Sequence, residues 1–115
     1  MPVFKIATNV PKSKIPESFL KETSALVASI LGKPESYVAV HVQPDQLMSF
    51  GGDAENPCAV VLMASMGGLA RKQGSLSEKL FAHVQSKLGI PKNRMYVEFH
   101  DMAANNIAFN GQPFG

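Results

Sequence analysis

The tetrapeptide Leu31-Gly32-Lys33-Pro34 returns as Leu88-Gly89-Ile90-Pro91, 57 residues further along a chain of 115. Each copy follows a helical pattern and precedes a β-rich run, so it reads as a helix stop, with glycine just past the last turn and proline soon after. Two helix stops in a chain of this length constrain it to two consecutive β-α-β units. No linker or low-complexity tract separates them, and the length is usual for one domain, so residues 1–115 are read as a single domain.

In the first unit Phe19, Leu20, Thr23, Leu26, Val27, Ile30 and Leu31 recur every three or four residues, which predicts a helix with one buried face. Pro16 suits its first turn, and Glu17 suits the positive end of its dipole. In the second unit Leu76, Leu80, Phe81, Val84 and Leu88 form one stripe, and Ser75 with Glu78 resembles a capping box, although the helix could begin a turn or two earlier. Strands are expected at 2–8, 37–43, 58–66 and 94–100, from β-branched and aromatic residues bounded by Gly, Pro and Asn. In the tail, residues 106–109 followed by Asn110-Gly111 predict a short strand and a tight turn.

Residues 58–64 are apolar throughout, and residues 37–42 set valines on one face against Tyr37, Ala39 and His41 on the other, so both sheet faces should be covered. Two right-handed crossovers, however, place both helices on the same face. The expected fold is therefore α/β: two β-α-β pseudo-repeats forming a four-stranded sheet with two helices on one face, and other copies of the chain covering the opposite face.

Composition excludes several roles. With 45% hydrophobic and 17% charged residues the chain is not of the disordered class. A net charge of +2 without a basic cluster argues against nucleic acid or an anionic membrane as the main partner. No apolar stretch approaches the roughly 20 residues of a membrane span, so no membrane insertion is expected. The start lacks the pattern of a signal peptide, a lone Cys58 forms no internal disulfide, and no Asn-x-Ser/Thr sequon occurs; the chain reads as cytoplasmic, with export by another route open. His41, His83, His100 and Cys58 follow no metal-binding spacing, so no metal is expected. A Cys-His nucleophilic pair is possible in principle, but Cys58 opening an apolar strand reads as an inert buried thiol. The glycine pairs at 51–52 and 67–68 match neither a phosphate loop nor a dinucleotide fingerprint and read as turns.

Pro2 has two readings. A small second residue permits removal of Met1 and leaves a secondary amine at the chain end. Such amines titrate at about 7.7–8.0, and burial or a nearby cation favours the neutral form that can abstract a proton. Equally, proline can simply start an edge strand, and spacing alone favours that simpler role.

Met1-Pro2-Val3-Phe4, Thr8-Asn9-Val10-Pro11, the Leu31-Gly32-Lys33-Pro34 turn, Tyr37-Val38-Ala39-Val40-His41-Val42, Pro44-Asp45-Gln46-Leu47-Met48-Ser49-Phe50-Gly51-Gly52 and Asp101-Met102 together resemble the macrophage migration inhibitory factor family, over essentially the whole chain. The Pro44–Met48 block separates this family from the related D-dopachrome tautomerases. The resemblance implies a homotrimer with active sites at subunit boundaries, no cofactor, and a catalytic amino-terminal proline, here Pro2, for keto–enol tautomerisation of phenylpyruvate and dopachrome-type compounds. It further implies that Lys33 depresses the Pro2 pKa and binds the carboxylate of a small aromatic α-keto acid. Ser65 and Met66 would form the turn that offers a backbone N–H, Tyr96 would come from a neighbouring subunit, and Ile107, Phe109 and Phe114 would form apolar walls near Val3 and Tyr37.

Three departures qualify this. Glu98 stands where relatives commonly have asparagine, and a carboxylate near the pocket would repel an anionic substrate or raise the proline pKa. Phe109 and His100 replace aromatic residues of other kinds. Val61 stands in place of the second cysteine of a Cys-x-x-Cys motif, so dithiol chemistry is not supported. The resemblance also implies a cytokine-like role at a cell-surface receptor, with secretion without a signal peptide, in which catalysis could be vestigial.

Overall fold

A computed structural model describes residues 1–115. The elements follow in the order β1 (Pro2–Thr8), α1 (Phe19–Leu31), β2 (Ala39–Gln43), β3 (Ala59–Ser65), α2 (Gln73–Leu88) and β4 (Met95–Asp101), and a hairpin of β5 (Ala108–Phe109) and β6 (Gln112–Pro113) comes last. The sheet order is β2-β1-β3-β4, with β1 parallel to β2, β3 parallel to β4, and β1 antiparallel to β3 between the two units. The offset of 57 that relates the tetrapeptides carries β1 onto β3 residue for residue, and the end of α1 onto the end of α2.

Both helix stops work through left-handed glycine: Gly32 takes φ 62° and Gly89 φ 70°. The Lys33 N–H donates to the Ala28 carbonyl at 3.0 Å, closing the helix end in a Schellman-type bond and fixing the backbone of Lys33 there. The starts of the helices are less regular. α2 begins at Gln73 after Lys72, so Ser75 and Glu78 lie inside the helix and form no capping box. α1 begins after Ser18, which leaves Glu17 outside it and Glu22 as the acidic residue of its first turn.

The core is built at a spacing of four. Phe19, Thr23, Val27 and Leu31 of α1 and Leu76, Leu80, Val84 and Leu88 of α2 are buried. Their apolar members pack with Phe4, Ile6, Val61 and Met63 of the sheet in one cluster. Each fully buried side chain of this kind contributes about 1.5–3 kcal/mol. Leu20, expected on the buried face of α1, is half exposed instead. Both helices thus cover one sheet face, and alternation sends Val3, Lys5, Ala39, His41, Val60, Leu62, Tyr96 and Glu98 to the other. On that face Tyr96 is 65% exposed and Val60 38%, so within one chain the second face is uncovered, as two crossovers of the same hand require. No helix is long and apolar enough to cross a membrane.

Two polar contacts join the helices: Lys87 Nζ of α2 lies 2.7 Å from a Glu22 carboxylate oxygen of α1, and Thr23 of α1 meets His83 of α2. The hydroxyl of buried Thr23 lies 2.8 Å from Nε2 of His83, whose ring stacks on Phe19 at 5.5 Å. Burial, then the neighbouring Lys87 ammonium, push the His83 pKa below 6.5, against a smaller opposing pull from Glu22. The unfolded chain therefore takes up this proton at higher pH than the folded one, and the His83 contribution to stability is lost as pH falls below about 6.5 toward the lowered value. The urea midpoint is expected to drop between about pH 7.5 and about pH 5.5, with a smaller drop in His83→Gln; equal drops in both proteins would acquit His83.

Candidate active site

The start of β1, the end of β3 and the end of α1 converge at one edge of the molecule. Pro2 pairs with Ser65, and both are buried. Val3 pairs with Ala39 and Ala64, so extending the parallel register back by two residues brings Tyr37 level with Met1. Tyr37 lies not in a strand, as expected for 37–43, but in a single 3-10 turn, Glu35–Tyr37, that follows Pro34. That turn swings its ring clear of the sheet, toward the tail.

Lys33 is half-buried, and its Nζ donates to the Met66 carbonyl at 3.2 Å. One ammonium proton is used there, which leaves two for an anion. The terminal amine, carried by Met1, lies below its ordinary value of 8.0, first because burial strips water from its charged form and second because the Lys33 ammonium repels it. The neutral form of an amine is thus easier to reach at this edge, one residue before Pro2, than in open water.

The turn after β3 is braced on several sides. Ser65 Oγ donates to the Gly67 carbonyl at 2.7 Å, the Met102 N–H donates to the Ser65 carbonyl at 2.8 Å, and the Gly67 N–H reaches an Asp101 carboxylate oxygen at 3.3 Å. The Ser65 hydroxyl thus shapes the turn. Asp101 was visible in the sequence only as part of the family resemblance; its bracing role has no local signal, because Gly67 is 34 residues away.

Three aromatic rings form the adjoining wall. Tyr37 meets Phe109 edge-on at 5.3 Å and Phe114 at 6.1 Å, and Phe109 stacks with Phe114 at 6.3 Å. The β5–β6 hairpin and the residue after it present Phe109 and Phe114, and the tight turn at Asn110 (φ 52°) and Gly111 (φ 83°) has the two positive φ values of a type I′ turn. The Phe114 N–H donates to the Ile107 carbonyl at 3.0 Å, which ties Ile107 to the same wall.

A single chain does not bring every expected residue here. Tyr96 pairs with Val60 and Glu98 with Leu62, five and three residues from Ser65 on β3, and both side chains are exposed on the uncovered face. Tyr96 packs against Phe50 at 5.1 Å, and Glu98 lies 4.0 Å from His100. His41, His83, His100 and Cys58 sit on separate elements, with Cys58 buried just before β3. A groove lined by Lys12, Ile15, Pro16, Leu20, Val40 and Pro44 flanks the open edge of β2, away from Pro2.

This arrangement offers a buried edge at the chain's first residues, a cation and an aromatic wall. A sequence profile described as macrophage migration inhibitory factor matches residues 1–115. A homologue of that factor from Brugia malayi is 50% identical over the full length of both chains. The factor from Xenopus tropicalis is 40% identical over 99% of each. The solved structure of the factor from Trichinella spiralis superposes with a TM-score of 0.92 at 46% identity, covering 96% of this chain and 98% of that one. Sequence and fold agree over the whole length: the chain belongs to the macrophage migration inhibitory factor family.

Proposed function

We propose that this chain is a keto–enol tautomerase whose general base is the Pro2 nitrogen, freed by removal of Met1. The observation that carries this reading is the pairing of buried Pro2 with Ser65 beside Lys33, where the terminal amine is already pushed toward its neutral form. Family membership supports tautomerase activity in general. The substrate of choice is a small aromatic α-keto acid. Its carboxylate would pair with the free protons of Lys33 and a backbone N–H of the Ser65–Met66 turn, and its ring would lie against Tyr37, Phe109, Phe114 and Ile107, with Val3 beneath. The Pro2 nitrogen takes a proton from the carbon between ring and carbonyl; the C–H pair becomes the C=C bond of the enol, the carbonyl oxygen is protonated from water, and the prolinium gives its proton to the hydroxide so formed, which restores the base. In the reverse direction the prolinium returns its proton to carbon. Phenylpyruvate is the test substrate, assayed after mass measurement of the amino terminus, and a processed protein with no activity above buffer would refute the reading.

The site would be completed by assembly. Three copies would cover the sheet face that the helices leave open, and Tyr96 of one subunit would bring its hydroxyl to the site of the next, with Glu98 alongside. Sedimentation equilibrium at micromolar concentration is expected to give the mass of a trimer; a monomer would remove both the covered face and the shared site.

The name of the relatives favours a second reading, a signalling protein that acts by binding a cell-surface receptor. A Pro2→Gly protein that retains a full cellular response while losing catalysis would assign the biology to binding.

A further inference from the structure

The repeat offset of 57 relates not only the strands but also the two short turns that follow the helix stops, Glu35–Tyr37 and Lys92–Arg94. Tyr37 therefore has Arg94 as its counterpart, and Phe114, which Tyr37 meets, has Pro57. In the first unit the turn sends a tyrosine into the aromatic wall beside Pro2. In the second it sends a guanidinium into the loop after β2.

Arg94 is almost fully engaged there. Its Nε donates to the Pro57 carbonyl at 2.9 Å, Nη1 to Phe50 at 3.2 Å, and Nη2 to Asp53 at 2.9 Å and Asn56 at 3.0 Å. Nη1 also lies 3.4 Å from the Asp53 carboxylate, and the guanidinium carbon sits 6.0 Å from the centre of the Phe50 ring. Asp53 closes the loop from inside, accepting from the N–H groups of Glu55 and Asn56 and from the Asn56 amide. Phe50 and Asp53 exchange backbone hydrogen bonds at 3.0 and 3.1 Å. The Phe50 ring so fixed rests 5.1 Å from Tyr96, whose own side chain is largely exposed.

We infer that Arg94 is a positioning residue: by clamping residues 50–57 it holds Phe50 against Tyr96 and so fixes the hydroxyl that one subunit lends to the next. The inference rests on the proposed role of Tyr96. Only the planar fork of arginine reaches four carbonyls at once; a lysine keeps the charge but loses the geometry. Loosening the Tyr96 ring weakens one neutral hydrogen bond to bound substrate and leaves the base untouched, so the effect falls on KM rather than kcat.

The test compares phenylpyruvate kinetics of the wild type, Arg94→Lys, Tyr96→Phe and the double variant, each checked for its assembly state, together with the NMR shifts of the Tyr96 ring protons. Arg94→Lys is expected to raise KM about three- to tenfold at unchanged kcat, with no further rise when added to Tyr96→Phe. The Tyr96 ring-proton shifts, moved by the Phe50 ring current in the wild type, are expected to relax. A rise for Tyr96→Phe with none for Arg94→Lys, or additive losses, would overturn the inference alone. A silent Tyr96→Phe would overturn the reading of Tyr96 and leave Arg94 nothing to position, and unmoved ring shifts in Arg94→Lys would overturn the clamp whether or not the protein is active.

Discussion

Protein that keeps Met1, or any extension, on Pro2 is expected to lose about a hundredfold to ten-thousandfold in phenylpyruvate tautomerisation relative to processed protein. An acyl group turns the amine into an amide, whose nitrogen pair is delocalised into the carbonyl and no longer takes up a proton near neutral pH. Pro2 begins β1, pairs with Ser65 and is buried, so an extension must displace the substrate as well as silence the base. The measurement is a single-substrate assay on two preparations whose termini are verified by mass. Equal rates would mean that the proton is taken by some other group, and the assignment of Pro2 would have to be withdrawn.

Lys33→Ala is expected to produce the second largest effect, and a divided one. The Schellman bond at the end of α1 fixes where Lys33 leaves the helix, and the Met66 carbonyl holds its ammonium beside the chain's first residues. A carboxylate substrate that loses a charge-assisted hydrogen bond worth about 1.5–3 kcal/mol should lose about tenfold to a hundredfold in kcat/KM, whereas the methyl ester, which has no charge to pair, should lose less. The pH dependence supplies a second readout. At the Met1 amine burial is the larger lowering cause and Lys33 the second; the Pro2 amine, one residue on, is expected to feel the same cation, so removing Lys33 should raise its pKa. Because the base must be unprotonated, the acid limb of the profile then moves to higher pH. Equal losses for acid and ester with an unmoved limb would return Lys33 to a role at the helix end alone.

The frame of the molecule was legible because it is written twice. Two glycine stops located the ends of α1 and α2, and the hydrophobic spacing of four located their buried faces. The starts were harder, since Ser75 and Glu78 carry a capping signature that the chain bypasses by starting the helix at Gln73. Tyr37 looked like the first residue of a strand, being aromatic beside valine, yet Pro34 initiates a turn that carries it to Phe109 and Phe114 instead. That regrouping is a tertiary event across more than 70 residues, and no local pattern encodes it. The Asn110-Gly111 turn, by contrast, was readable from two residues. Pro2 was singled out by chemistry, whereas Lys33 entered only through the resemblance; the register that pairs Pro2 with Ser65 and the Lys33 bond to the Met66 carbonyl supply the physical link. The clamp made by Arg94 was invisible because its acceptors are backbone carbonyls, which every sequence possesses.

Titration of the Pro2 nitrogen itself tests the base assignment most directly. Processed protein labelled with 15N-proline gives one amine signal, whose shift can be followed with pH beside the kcat/KM profile for phenylpyruvate. A midpoint below the ordinary range of about 7.7–8.0 is expected, coincident with the acid limb and displaced upward together with it in Lys33→Ala. A midpoint at or above that range, or an acid limb that follows some other group, would contradict a neutral proline as the base.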